Sequence, residues 1–188
     1  MKLQTLIIRN FRGLKGDHNI IDFSKSNIIF LIGQNNVGKS SFLRGYEFFI
    51  NAKQTATESD FYNYDTDIPI EIEGVFLKEQ TDDAEVELVG KGKQAEPDWV
   101  NKWVDGDSLV KIKKRWKVKD EVGEKFTFSP TQDEWVKDGF GGMPSLFQKY
   151  SPTPICISAM ETETTLEEKV NKLIQDEMLK KFARRLSG

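Results

Sequence analysis

Eight residues near the amino terminus constrain this chain more than any other segment. Residues 33–40 have the pattern G-x-x-x-x-G-K-S and directly follow the apolar run 27–32. Glycines let the backbone curl so that successive N–H groups point at phosphate oxygens, and a helix that begins behind the loop adds the positive end of its dipole. Residues 33–40 are therefore predicted to be a phosphate-binding loop between a strand and a helix.

The pattern also assigns roles to single residues. Lys39, the candidate catalytic residue, is expected to reach the β- and γ-phosphates, and the hydroxyl of Ser40 is expected to bind Mg²⁺. Beyond the loop, five apolar or aromatic side chains recur at helical spacing, which predicts a helix packed against a sheet. These side chains are Phe42, Leu43, Tyr46, Phe49 and Ile50.

Composition limits the function classes without selecting one. Of the 188 residues, 38% are hydrophobic, which suffices for one core, and the net charge of −3 gives no general attraction to nucleic acid or anionic lipid. The single cysteine, Cys156, excludes an intramolecular disulfide. No apolar run reaches the roughly 20 residues of a membrane helix and no leader pattern opens the chain, so we expect a cytoplasmic protein without a membrane partner. His18, in a polar turn, is expected to be an exposed loop residue rather than a ligand or base.

The first 23 residues predict two strands before the loop. Residues 1–9 alternate as an edge-region strand does, a turn follows, and residues 19–23 look like a returning strand. Residues 8–14, 21–23 and 32–41 together resemble the amino terminus of the RecF, SMC and OLD group of ABC-type ATPases. The Asn-Asn-Val form of the loop is most similar to the OLD-type members. The resemblance is specific over about the first 50 residues and only architectural beyond them.

The resemblance implies an ATPase head that binds ATP and Mg²⁺ between two copies of itself, one of which supplies a signature motif. It also implies DNA-related work such as repair or phage defence, with DNA and a nuclease effector domain or subunit as possible partners. Arg12 falls where family members often hold a basic residue near the nucleotide, and the alternative for it is a solvated loop arginine. The loop residues to which the resemblance assigns nucleotide binding are Gly33, Gln34, Asn35, Asn36, Val37, Gly38, Lys39, Ser40 and Ser41.

Alternating runs farther along the chain predict an antiparallel meander. The runs are residues 68–77, 85–89, 109–119 and 124–128. Between the second and third, residues 97–104 predict a short helix with Trp99 and Trp103 on one face, for which core packing is favoured over base stacking.

The run 109–119 carries a cation at every second position, so its cations are predicted to share one strand face. These cations are Lys111, Lys113, Arg115, Lys117 and Lys119, with Ile112, Trp116 and Val118 on the other face. The favoured interpretation is a charge ladder with glutamates of neighbouring strands, and a face that grips a nucleic-acid backbone is the alternative. The glutamates are Glu71, Glu73, Glu85 and Glu87.

The chain is predicted to divide into a lobe over residues 1–160 and a helix over residues 161–188. A short buried strand is expected at 155–158, and the helix carries an apolar stripe and a basic far end. The stripe either packs back on its own lobe or begins an arm or dimerisation region of the kind that such ATPases insert, and the second is favoured.

Two further parts of such an ATPase have no counterpart in the sequence. No run of four apolar residues ends in Asp-Glu, so the second Mg²⁺ ligand and a water-polarising Glu are missing. Residues 186–188 match only the first three letters of a signature motif. Because phosphoryl transfer needs all these parts, we expect the chain alone to bind nucleotide weakly and to hydrolyse it poorly, as the amino-terminal part of a longer ATPase.

Two other function classes fit part of the sequence. The loop also resembles that of Era-like GTPases, and residues 157–160 resemble their guanine loop, but residues 101–105 have one residue too many for an N-K-x-D base reader. The other class is a non-catalytic nucleotide-binding interaction module. The favoured interpretation is an α/β P-loop NTPase, an ABC-type ATPase lobe with a mixed sheet, a flanking antiparallel meander and a long C-terminal helix. It is expected to form a homodimer through its heads or a helical arm.

Overall fold

The computed structural model describes residues 1–26, 28–34, 38–78, 102–137, 151–152, 154 and 162–186. Their strands are β1 (Lys2–Arg9), β2 (Ile20–Asp22), β3 (Ile70–Leu77), β4 (Leu109–Trp116), β5 (Glu124–Ser129) and β6 (Glu134–Lys137). Their α-helices are α1 (Lys39–Ile50) and α2 (Glu163–Leu186), and two short 3-10 turns lie at Glu58–Asp60 and Tyr62–Tyr64. Contacts divide the chain into the units Met1–Pro152 and Thr153–Gly188, of which the second contains α2.

All six strands lie in one sheet of the first unit, in the order β2-β1-β3-β4-β5-β6. Every neighbouring pair is antiparallel. The predicted mixed sheet with a separate meander is therefore corrected to a single antiparallel sheet within the described residues. The two amino-terminal strands join the meander directly, because β1 pairs with β3 along its whole length.

The apolar run before the loop is not a strand of this sheet. Residues 28–34 form no strand, and the side chains of Ile28, Phe30 and Ile32 are 67%, 81% and 91% exposed. The predicted strand over 27–32 is thus wrong for its described part, 28–32. A strand needs a neighbour for its backbone hydrogen bonds, and residues 28–32 pair with none of the six described strands; β1 itself is hydrogen-bonded to β2 on one side and to β3 on the other.

The other strand predictions fare better. Strands β1 to β4 lie within the runs that alternation predicts, although β4 ends at Trp116, three residues early, and β5 extends one residue beyond its predicted run, to Ser129. Strand β6 was not predicted, because its two apolar residues, Trp135 and Val136, are consecutive and do not alternate with polar ones. Cross-strand packing stabilises it instead, since Trp135 lies opposite Phe128 with the ring centroids 5.5 Å apart. Residues 85–89, Trp99 and residues 155–158 lie outside the described part of the chain.

Helix α1 packs on the inner face of the sheet through aromatic side chains. The rings of Phe49 and Phe76 stack at 6.2 Å, and the ring of Phe48 lies 5.2 Å from that of Trp116. The predicted helix is confirmed. Its buried face differs from the predicted one, because Phe48 is buried and Leu43 is 60% exposed. The core also contains Trp103, as predicted for that residue.

Glycines on both sides of the interface bring helix and sheet close together. A Cβ atom at Gly45 of α1 would lie 2.4 Å from Cδ1 of Ile8 in β1. A Cβ atom at Gly74 of β3 would lie 2.6 Å from Phe76 and 2.9 Å from Phe49. The helix therefore rests on the sheet at a distance that larger side chains would not allow.

Substitution of Gly74 tests this close contact. Gly74→Ala is expected to lower the free energy of unfolding by about 1–3 kcal/mol, because the added methyl overpacks the Phe49 and Phe76 rings. Gly106→Ala is the matched control: its Cβ would meet nothing within 4 Å, so a change of no more than about 0.5 kcal/mol is expected. Urea unfolding measures both variants, and equal stability of the two would show that the contact is not tight.

A buried lysine lies at the carboxyl end of α1. Lys114 of β4 points to the inner face, where its Nζ donates to the carbonyl oxygen of Asn51 at 2.8 Å, just beyond the last residue of the helix. Burial, together with a smaller contribution from the neighbouring Lys125, lowers the pKa of Lys114 to about 8.

The lowered pKa of Lys114 predicts a pH dependence of stability. The folded-state pKa of about 8 lies below the usual lysine pKa of 10.5, so the unfolded state binds more protons between these values. The free energy of unfolding should therefore rise from pH 8 to 10.5, by roughly 1–3 kcal/mol from this group. Lys114→Met should remove that part of the rise, whereas Lys111→Met should retain it. Urea unfolding across this pH range measures both slopes, and an unchanged slope in Lys114→Met would contradict the assignment.

Candidate phosphate-binding site

The described part of the predicted loop ends where α1 begins. Gly38 precedes the first helical residue, Lys39, with φ at 91°, in the left-handed region that glycine adopts without strain. No side chain caps this end of the helix, and its first turn contains no acidic residue. The N–H groups and the positive dipole end of α1 are therefore not compensated by a carboxylate of the helix, which suits a bound anion. Asn35, Asn36 and Val37 lie outside the described residues.

Lys39 connects the two described parts of the loop. Its Nζ donates to the carbonyl oxygen of Gly33 at 2.8 Å and also to the carbonyl oxygen of Gln34. The structure thus brings Gly33, Gln34, Gly38 and Lys39 together. The next residue, Ser40, is exposed. Its hydroxyl is accessible to a cation, and the combination of an ammonium group, free helix amides and a hydroxyl fits a Mg²⁺-bound phosphate chain.

The turn between β1 and β2 packs against the phosphate-binding loop at Gly38. A Cβ atom at Gly38 would lie 2.8 Å from Cδ2 of Leu14 and 3.7 Å from the carbonyl carbon of Gly13. Glycine is therefore required at position 38 for space as well as for its backbone angle. Two residues before Leu14 in the same turn is Arg12, the other predicted nucleotide-binding residue.

Arg12 is neither fully solvated nor buried. Its Nε and Nη2 donate to Oδ1 of Asp60 at 3.0 and 2.8 Å, while its side chain stays 42% exposed. Arg12 is therefore not the freely solvated arginine of the alternative interpretation, because it is paired with Asp60. Sequence reasoning missed Asp60, which lies in a polar stretch without periodicity and whose only signal is the Thr57-x-x-Asp60 spacing of a capping box.

The basic face of β4 contacts carboxylates and rings of the same sheet. Arg115 donates to Glu71 on β3, and Lys113 lies opposite Glu73, so the charge ladder is confirmed for these pairs. Lys117 lies beyond the end of the strand and pairs with Glu124 at 3.3 Å. Glu85 and Glu87 fall outside the described residues.

Aromatic rings flank two cations of this face. The Nζ of Lys113 lies 4.4 Å from the centroid of the Trp135 ring, and the Nζ of Lys111 lies 5.1 Å from that of Phe128. Burial lowers the pKa of Lys113, against the opposing influence of Glu71. These contacts stabilise an outward sheet face whose charges are already matched within the molecule.

His18 is exposed in its turn, as predicted. Within the described ranges, no three histidine, cysteine or carboxylate side chains converge on one point as metal ligands. Neither α-helix in these ranges has the length and hydropathy of a membrane-spanning segment.

Comparison with known proteins places this geometry in a family. A family model described as an AAA ATPase domain matches residues 1–184, nearly the whole chain. No curated protein matches the chain.

Proposed function

We propose, for a chain that belongs to the AAA ATPase domain family, that residues 33–41 bind the phosphates of ATP together with Mg²⁺. One observation carries the proposal: the Lys39 ammonium group, on the first residue of an uncapped helix, reaches across the loop to the carbonyls of Gly33 and Gln34. A cation held there lies next to free helix amides, where the negative charge of a phosphate is stabilised most.

Each loop residue has a part in this site. We propose that phosphate binding is shared by the loop residues Gly33, Gln34, Asn35, Asn36, Val37 and Gly38 and by Ser41, which lies in the first turn of the helix. Lys39 contributes positive charge where negative charge grows during phosphoryl transfer, and the Ser40 hydroxyl is a Mg²⁺ ligand. Bound Mg²⁺ supplies further neutralisation of the phosphate oxygens.

The finer assignment is an ATPase head of the OLD, RecF and SMC type. It is supported by residues 8–14 and 32–41 and by α2, whose exposed apolar side chains follow one another at steps of four. These are Leu166, Val170, Ile174 and Met178. We propose that such a stripe serves a helical arm or a homodimer contact, with DNA repair or phage defence as the process and DNA and a nuclease as partners. Because no apolar run ends in Asp-Glu, hydrolysis is proposed to need carboxylates that the assembly supplies.

The position of Asp105 argues against the GTPase alternative. Asp105 is the acidic residue of the nearest match to an N-K-x-D base reader. The Oδ1 of Asp105 accepts the backbone N–H groups of Asp107 and Leu109 at 3.0 and 2.9 Å, in the turn that leads into β4. This carboxylate therefore shapes a turn, whereas a guanine reader needs it directed at the base. A non-catalytic nucleotide-binding module stays the second candidate, and retained ATP binding without turnover in the whole assembly would favour it.

Calorimetric titration with ATP and GTP in Mg²⁺ tests the proposal. ATP is expected to bind, GTP is expected to bind no more tightly, and Lys39→Ala should weaken ATP binding by about tenfold or more, because a charge-assisted contact to phosphate is lost. Lys53→Ala, which removes an exposed lysine just beyond α1, is the control and should bind ATP as the unaltered chain does.

Two results would count against the proposal. A clear preference for GTP would favour the GTPase class over the ATPase. Equal ATP affinity in Lys39→Ala and Lys53→Ala would show that the loop does not bind the phosphates.

A further inference from the structure

Two loops of the first unit are joined beside the phosphate-binding loop. One is the β1–β2 turn, residues 10–14, and the other is the segment 57–64 that follows α1. The backbone N–H of Arg12 donates to the carbonyl of Asp60 at 2.8 Å, and that of Tyr62 donates to the carbonyl of Asn10 at 3.0 Å. The segment that follows the helix is thereby fixed to the turn that contacts Gly38.

Asp60 connects the two loops through its side chain as well. It is 4% exposed, and both of its oxygens accept two hydrogen bonds. Oδ2 accepts from the N–H and the hydroxyl of Thr57 at 3.0 and 2.8 Å, and Oδ1 accepts from Nε and Nη2 of Arg12. With four donors around it, the carboxylate has one orientation, and a buried carboxylate so held fixes the plane of the guanidinium that it pairs with.

Arg12 keeps the capacity to bind a second anion. Asp60 accepts hydrogen bonds from Nε and from Nη2, which leaves the Nη1 side of the guanidinium for another acceptor. The side chain is partly exposed, and its turn lies against Gly38, directly before the first residue of α1. A phosphate held at that helix end would be near the turn that carries Arg12.

Backbone strain points to the same pair of loops. Of the seven non-glycine residues in the described ranges with φ in the left-handed region, four lie in these two loops, namely Asn10 at 55°, Arg12 at 51°, Asn63 at 52° and Tyr64 at 60°. Such conformations persist where the surrounding contacts determine them, and they concentrate at ligand-binding and active sites. At Arg12 itself, the left-handed backbone is accompanied by the hydrogen bond from its N–H to the carbonyl of Asp60.

We propose that Asp60 is a positioning residue, which holds the guanidinium of Arg12 so that Arg12 contacts a phosphate group of the bound nucleotide. The inference rests on the proposed function of residues 33–41 and deepens it. Arg12 makes the contact to the ligand, and Asp60 acts only through Arg12.

A double-mutant cycle on ATP affinity tests the inference in the whole chain. Asp60→Asn and Arg12→Ala should each weaken Mg²⁺·ATP binding by about tenfold, because an oriented charge-assisted contact is lost. In the Arg12→Ala background, Asp60→Asn should cause no further loss, since Asp60 then has nothing to position. Arg12→Lys, which keeps the charge but lacks the planar fork, should lose about as much affinity as Arg12→Ala. The matched control is Asp65→Asn, an exposed carboxylate directly after the segment 57–64, which should bind ATP normally.

The outcomes separate this inference from the proposed function. If Asp60→Asn weakens ATP binding equally with and without Arg12, Asp60 is merely structural and the inference is overturned. If Asp60→Asn does not fold, full affinity in Arg12→Lys would overturn it as well. Should Arg12→Ala bind ATP normally while Lys39→Ala does not, the inference fails and the phosphate site stands. If both Arg12→Ala and Lys39→Ala bind ATP normally, the inference and the proposed function both fail.

Discussion

Close packing of helix α1 against the sheet determines where the candidate site lies. Gly45 on the helix faces Ile8, and Gly74 on the sheet lies under Phe49, so the helix axis is held near β1 and β3. Because α1 begins at Lys39, the same contact fixes the position of the loop lysine and of the helix amides. The candidate phosphate site thus depends on a hydrophobic contact that lies along the body of the helix, away from the loop.

Charge is arranged differently at the two ends of this helix. At its carboxyl end, the Lys114 ammonium group donates to the carbonyl of Asn51, where a cation is favoured by the helix dipole. At its amino end, neither a capping side chain nor a first-turn carboxylate is present. One end of the dipole is therefore compensated by a side chain of the sheet, whereas the other end has no compensating carboxylate of the helix. Arg12, held by Asp60 in the neighbouring turn, adds positive charge on the same side.

Local patterns in the sequence predict those strands and helix ends that depend on neighbouring residues alone. Alternation located β1 to β5, and the G-x-x-x-x-G-K-S spacing located the start of α1. The failures depend on long-range pairing: residues 28–32 have the composition of a buried strand, but they pair with none of the six described strands. Similarly, β6 forms because Trp135 packs on Phe128, and Asp60 matters because it meets Arg12 across 48 residues of sequence. No local pattern reports such contacts.

Amide hydrogen exchange with and without Mg²⁺ and ATP tests most directly whether the loop binds the phosphates. Bound phosphates would accept hydrogen bonds from the loop and helix amides, so exchange should slow at residues 33–41 and stay unchanged on the outward face of β4. Unchanged exchange at residues 33–41 with saturating ATP, or protection confined to other segments, would contradict a nucleotide site at this loop.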